Sequence, residues 1–302
     1  MTAESQTPHP GFGRGVDLGE LQLAFQPVVD LRDGSVQCVE ALVRWDHPTR
    51  GLLWPGEFLD DRVEADVQRH VTGWVISDAV RWAAHWRAEF PDHPITVAVN
   101  LSEGDLESAN FAAHVANVLR AQELPPGALA VEVGESALYA DLERARAALV
   151  SFRDLGVQVF VDDFGTAYSS VVSSLESMPA SAVYVLPESV GAMKGEAYDG
   201  ILMSLASIES LPIDAIKIDR RFVQRLFAGE REAALVESVI RLSHRLGFRV
   251  QAEGVEHEIE AARLRDVGCD LAQGYYFHRP QTREYIDVIL REAATTREVA
   301  GA

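Results

Sequence analysis

The chain has 302 residues and carries 27 Lys and Arg against 46 Asp and Glu, a net charge of 27 − 46 = −19 at neutral pH. A chain this acidic is not built for non-specific binding to a long nucleic-acid backbone, which depends on Lys and Arg contacts to phosphate. Any anionic ligand has to be held by local cations against the long-range field. With 47% hydrophobic residues the chain can bury a large core, and its two cysteines, Cys38 and Cys269, lack metal-like spacing and imply no disulfide framework, so a cytoplasmic protein is expected.

Residues 1–16 carry Pro, Gly and Ser and read as a flexible tail. The first twenty residues have no apolar core of the signal-peptide kind, and no apolar run approaches membrane-spanning length, so no membrane partner is expected. Then come eight β-like runs: Leu23–Leu31, Ser35–Arg44, Ile95–Asn100, Ala128–Val133, Gln158–Asp163, Ala215–Asp219, Arg249–Val255 and Leu271–Phe277. They are rich in Val, Ile, Phe and Ala and bounded by Gly, Pro or Asp. Amphipathic stretches such as Glu135–Leu155 and Glu230–Leu246 separate most of them.

Strands alternating with helices predict an α/β barrel. The first two runs are separated only by turn residues around Arg32-Asp33-Gly34, which predicts an antiparallel hairpin and a departure from an all-parallel barrel. A doubly wound open sheet competes, but it calls for a Gly-rich phosphate turn after an early strand, and none is present. One connection is long: 51 residues separate Asp163 from Ala215, against 29 between Asp219 and Arg249. Excess length of this kind marks an insertion.

Barrel sites form where strands end. The predicted strand ends deliver Asn100, Glu132, Asp162, Asp163, Lys217, Glu253 and Gln273 to one rim, and period-two alternation puts Glu40, Leu42 and Arg44 on one strand face. Clustered carboxylate and amide oxygens suit hard divalent cations, Mg2+ or Mn2+, and the absence of His and Cys from the set argues against zinc. Two such cations are a recurrent arrangement for displacement at phosphorus. Each residue also has a plainer role: Glu135 as an acid at a helix N-terminus, Asp163 as a turn residue, Asn100 as a helix cap, and Lys217 as a strand-end lysine reaching solvent. Their joint placement favours a metal site.

These residues carry a resemblance. Glu40-Ala41-Leu42-Val43-Arg44-Trp45 resembles the signature that names the EAL domain family. The likeness continues through Phe25-Gln26-Pro27, Asn100-Leu101-Ser102, Glu132-Val133-Gly134-Glu135-Ser136, the segment from Asp162-Asp163-Phe164-Gly165 to Ser170, Lys217-Ile218-Asp219, Ala252-Glu253-Gly254-Val255-Glu256 and Gln273-Gly274-Tyr275. It spans roughly residues 17–290, leaving 291–302 as a C-terminal tail. The resemblance implies a modified TIM (β/α)8 barrel with an antiparallel first strand, and metal-dependent hydrolysis of cyclic di-GMP to linear pGpG. It implies Glu40, Asn100, Glu132, Asp162, Asp163 and Glu253 as ligands of two divalent cations, with Glu40 essential to catalysis. Lys217 would contact the attacking water, and Glu253 would ligate a metal or assist deprotonation. Gln26, Arg44 and Gln273 would bind substrate, and Glu135 and Glu256 would support the acidic loop. A homodimer is expected on the same ground. A non-catalytic cyclic di-GMP receptor and an interaction scaffold of the same fold are the alternatives, but the full ligand set favours the enzyme. Three features depart from the family pattern: Ala167 where glycine is usual, the segment 62–66, and an insertion near 171–204.

Overall fold

The computed structural model describes residues 19–59, 63–108, 110–165, 205 and 208–300. The expected tail at 1–16, Ala167 and the insertion near 171–204 lie outside these residues. The strands are β1 (Leu21–Asp30), β2 (Val36–His47), β3 (Gly51–Leu53), β4 (Thr96–Leu101), β5 (Leu129–Gly134), β6 (Gln158–Phe164), β7 (Ala215–Ile218), β8 (Arg249–Ala252) and β9 (Leu271–Ala272). The helices are α1 (Ala65–Glu89), α2 (Glu103–Leu106), α3 (Phe111–Ala121), α4 (Glu135–Ala140), α5 (Leu142–Leu155), α6 (Arg220–Arg225), α7 (Glu230–Arg245), α8 (Glu258–Asp266) and α9 (Arg283–Ala300).

Strand order runs β1-β9-β8-β7-β6-β5-β4-β2-β3, and pairing of β1 with β2 closes eight strands into a barrel, with β3 appended to β2. β1 is antiparallel to both its neighbours, while β2, β4, β5, β6, β7, β8 and β9 run parallel. The fold is therefore the modified barrel with an antiparallel first strand. The hairpin turn follows the local chemistry: Gly34 takes a left-handed φ of 76°, and the Asp33 carboxylate accepts from the Ser35 N–H at 2.9 Å.

The strands are almost continuously apolar because both of their faces are buried. Outward residues such as Val97, Val131, Val159 and Ile216 join the main core beneath the helices. In α1, Val71, Val75, Ile76, Ala79, Val80, Ala83 and Trp86 recur at three- and four-residue intervals and form its buried stripe. Inside the barrel, a separate apolar cluster of Val28, Cys38, Ala98, Ala130, Phe160, Ala215 and Leu271 makes a floor.

Several boundaries differ from expectation. The helix expected over Glu135–Leu155 is two helices, because Asp141 leaves helical geometry at φ −151° and its carboxylate caps the second by accepting from the Arg144 N–H. The last two strands stop short of Val255 and Phe277, since Gly254 turns the chain at φ 65° and Val255 N–H then bonds the Gln273 carbonyl at 3.1 Å. α9 continues to Ala300, past the boundary placed at residue 290, carried by Ile286 and Leu290, which are buried four residues apart. No helix among the described residues is long and apolar enough to cross a membrane.

Candidate active site

The site is the layer of side chains directly above the apolar floor, and six of its members stand two residues beyond a floor residue along the chain. Glu40 stands above Cys38, Asn100 above Ala98, Glu132 above Ala130, Asp162 above Phe160, Lys217 above Ala215 and Gln273 above Leu271. β1 runs the other way, so there the polar residue precedes the floor residue: Gln26 precedes Val28 and is in register with Glu40. Asn100 and Glu132 are register partners. Period two thus converts a floor of small apolar residues into a ring of acids and amides one layer up.

Lys217 is the centre of the ring and is 1% exposed. Its Nζ donates to Glu132 Oε2 at 2.8 Å and lies 2.8 Å from Glu253 Oε1, 3.2 Å from Asp162 Oδ2 and 3.8 Å from Glu40 Oε2. It does not reach solvent, so the plainer reading of that lysine is excluded. Asn100 Nδ2 donates to Glu40 Oε1 at 2.7 Å, and Gln273 Nε2 to Glu40 Oε2 at 2.7 Å. The helix-capping role considered for Asn100 belongs to Ser102, whose N–H and hydroxyl both donate to Asp105 Oδ2.

The β6 end is irregular in a useful way. Its register with β7 shifts between Val161 and Phe164, and Asp163 adopts a left-handed φ of 54°. A bulge of this type re-aims side chains, and here Asp162, Asp163 and Glu253 offer carboxylate oxygens within 4.8 Å of one another. Gly165 follows at φ 84°, and a Cβ there would meet the Phe222 ring at 2.5 Å. Glu135, fully buried at the start of α4, accepts from the Gly165 N–H at 2.8 Å and so ties the acidic segment to the barrel.

Electrostatics follow from burial and crowding. Burial pushes the Glu132 carboxyl well above the usual range, with Glu40 and Asp162 adding to the shift and Lys217 opposing it. Burial likewise raises Glu253, to about 8, against the pull of Lys217, and it raises Asp163, helped by Asp162 and Asp219. For Lys217, burial works against the charge, but Asp162, Glu132, Glu253 and Glu40 outweigh it and hold the ammonium well above its ordinary value. Glu40, Glu132, Asp162, Asp163 and Glu253 are thus five carboxylates gathered around one buried ammonium. An oxygen-only donor set with surplus negative charge fits hard divalent cations. Asp162, Asp163 and Glu253 form the tightest cluster for one, with Glu40, Asn100 and Glu132 beside it.

Beside the ring lies a cleft of about 320 Å3 lined by Gln26, Glu40, Asp162, Glu253, Gln273 and Tyr275, among others. Gln26 is held by donation to the His278 carbonyl at 3.0 Å. Glu256 lines the same cleft and pairs with Arg220 at 3.0 Å. Arg44 stands further out: its guanidinium stacks 3.9 Å above the Trp54 ring, Nη1 donates to the Val43 carbonyl, and Nη2 has no hydrogen-bond partner among the described residues. Sequence reasoning missed Trp54, Arg220, Tyr275 and the buried Gln251. Gln251 was discoverable, because it precedes Glu253 by two on the same strand face.

The EAL domain family profile matches residues 13–203 and 197–280. An uncharacterized Mycobacterium tuberculosis protein is 32% identical over 267 residues, 88% of this chain and 37% of its own length. The cyclic di-GMP phosphodiesterase NbdA of Pseudomonas aeruginosa is 32% identical over 278 residues, 90% of this chain and 30% of its own length. The chain therefore spans about a third of these curated relatives. Among solved structures, the PaMucR phosphodiesterase in complex with c-di-GMP superposes with a TM-score of 0.74 at 29% identity, covering 91% of this chain and 98% of that one. The EAL domain of Mycobacterium smegmatis DcpA gives 0.66 at 29% identity, covering 90% of this chain and 98% of that one. With its whole barrel matched by that profile, this chain belongs to the EAL domain family.

Proposed function

We propose that the chain hydrolyses one phosphodiester of cyclic di-GMP to linear pGpG with two divalent cations, Mg2+ or Mn2+. The observation that carries this reading is the convergence of Glu40, Asn100, Glu132, Asp162, Asp163 and Glu253 on one rim around Lys217. The likeness to phosphodiesterases named for this substrate supports it. Those six side chains would hold the cations, which when bound supply Lewis acidity toward water and the phosphate.

The protein's own groups do the rest. Lys217 keeps its charge in the buried ring and orients the attacking water through an N–H. Glu253, 2.8 Å from that ammonium, accepts the proton that the water loses. The water oxygen bonds to phosphorus, the bond from phosphorus to one ribose oxygen breaks, and the released hydroxyl ends protonated. Arg44, stacked on Trp54 with its buried Nη2 unpartnered among the described residues, would turn that group to a phosphate oxygen on ligand binding. Gln26 and Gln273 line the cleft where the ligand sits, with Glu256 at its edge and Glu135 bracing the acidic segment. Work in the cytoplasm as a homodimer belongs to the same proposal, and light scattering tests the dimer.

The deciding experiment incubates the purified chain with cyclic di-GMP and Mg2+ or Mn2+ and follows pGpG by chromatography. Appearance of pGpG that chelator abolishes is the expected result. Tight binding without pGpG would make the chain a receptor, and neither binding nor turnover would overturn the proposal.

A further inference from the structure

Gln251 is fully buried inside the barrel, in register with Lys217. Its side-chain Oε1 has no hydrogen-bond partner among the described residues. A buried orphan acceptor costs about 1–3 kcal/mol, so this residue is poorly explained as core filler. What it does make is one bond: its Nε2 donates to Gln273 Oε1 at 2.9 Å. Gln273 in turn donates through Nε2 to Glu40 Oε2 at 2.7 Å, and the other Glu40 oxygen accepts from Asn100 at 2.7 Å.

The polarity of this chain is forced. An ionised carboxylate only accepts, so Gln273 must turn its NH2 toward Glu40 and its oxygen away. That oxygen then needs a donor, and Gln251 is the group that supplies one. The Gln273 backbone is pinned on both sides, by N–H donation to the Ala252 carbonyl at 2.8 Å and acceptance from the Val255 N–H at 3.1 Å. The remaining freedom is a flip of the side-chain amide, which would set oxygen against oxygen at Glu40.

We infer that Gln251 is a positioning residue: by fixing the orientation of the Gln273 amide it holds the Glu40 carboxylate in the direction required of a divalent-cation ligand. This rests on the ligand role proposed for Glu40, and partners of this indirect kind are worth roughly 10–100-fold in metal affinity or activity.

The test is calorimetric titration of the full chain with Mn2+, without nucleotide, for wild type, Gln251→Met and Gln251→His. Methionine matches the length of glutamine and lacks the donor, whereas histidine retains a ring N–H. Mn2+ affinity should fall about tenfold in Gln251→Met and return to within about threefold of wild type in Gln251→His. In turnover assays with cyclic di-GMP, kcat should fall in Gln251→Met and KM should hold. Unchanged Mn2+ affinity in a folded Gln251→Met, or no Mn2+ binding by wild type, overturns the inference. If Gln251→Met does not fold, a Gln251→His protein that folds and binds Mn2+ more than tenfold weaker than wild type overturns it as well. Should wild type bind Mn2+ but produce no pGpG while Gln251→Met shows the tenfold loss, the hydrolysis proposal fails and the positioning role stands.

Discussion

Replacing Lys217 with methionine removes the ammonium and keeps most of the side-chain volume. In the metal-free protein this takes away two contacts at 2.8 Å, to Glu132 and Glu253, and a third at 3.2 Å to Asp162. Hydrogen bonds to charged groups contribute about 1.5–3 kcal/mol each, and removing one partner of a buried ion pair costs about 3–5 kcal/mol. The loss is bounded by protonation, because Lys217 depresses both the Glu132 and the Glu253 carboxyl and without it each takes a proton more readily. We therefore expect Lys217→Met to lose about 4 kcal/mol in EDTA at pH 8, a fall in melting temperature of about 10 °C for a chain of this size.

The sign of the pH dependence follows from the raised carboxyls. A carboxyl whose folded pKa lies above its unfolded value binds a proton in the folded state first, so its contribution is fully present below the unfolded pKa and is lost as pH rises through the folded one. For Glu253 beside Lys217 that window runs from 4.5 to about 8, and loss of the ammonium moves its upper end higher. The variant should therefore recover stability toward pH 5, and it should also recover with saturating Mn2+, since ligand at a hundred times its dissociation constant adds about 2.7 kcal/mol. Turnover of cyclic di-GMP should be undetectable throughout. Thermal melts at pH 5 and pH 8, in EDTA and separately in saturating Mn2+ without chelator, check this. A Lys217→Met melt within about 2 °C of wild type at pH 8 without metal would refute this account of the ring.

Glu40→Ala should leave less than about a tenth of wild-type kcat, a loss above roughly 1.4 kcal/mol, measured under saturating substrate. Arg44→Ala should mainly raise KM, since it removes a phosphate contact and leaves the acids in place, and steady-state kinetics separate the two cases. Ca2+ in place of Mg2+ should inhibit pGpG formation, because its longer bonds and looser geometry misplace the water. Gly274→Ala should lower stability by about 3 kcal/mol, as its Cβ would lie 2.1 Å from the Val255 carbonyl oxygen; a urea melt measures the loss. Asp30 is held below its ordinary pKa first by the hydrogen bond from Arg32, so its contribution is present at neutral pH and lost as pH falls from 3.8 through the lowered folded pKa; Asp30→Asn should cost stability at pH 7 and progressively less as pH falls below 3.8, seen in acid melts.

The ring was legible in the sequence because barrel geometry acts through a short-range rule. Glu132, Asp162 and Lys217 each fall at the end of a run whose preceding inward residue is apolar, Glu253 follows the inward amide Gln251, and parallel register brings such ends to one height. β1 was legible as part of a hairpin because its turn chemistry is local. The depth of Lys217 was not, since a lysine at a strand end looks the same in sequence whether it reaches water or four acids. Trp54 was missed because it stands beside a three-residue strand, too short for a period, and its role depends on stacking with Arg44. The break at Asp141 was hidden because the apolar spacing continues across it, while the cap that makes the break is a single hydrogen bond.

The charge of −19 bears on how such a site meets an anion. The acidic surface and the crowded rim both repel a phosphodiester at a distance, and the Lys217 ammonium is already shared among four carboxylates. Arg44 is a cation near the site whose Nη2 has no hydrogen-bond partner among the described residues, and burial lowers its pKa, opposed by Glu40. Affinity for an anionic ligand should therefore depend on cations loaded beforehand. Metal-free protein should bind cyclic di-GMP far more weakly than protein saturated with Ca2+, which neutralises the acids without supporting turnover. Calorimetry of cyclic di-GMP binding in EDTA and in Ca2+ measures the difference. Equal affinity in the two would mean that the carboxylate ring does not face the bound phosphates.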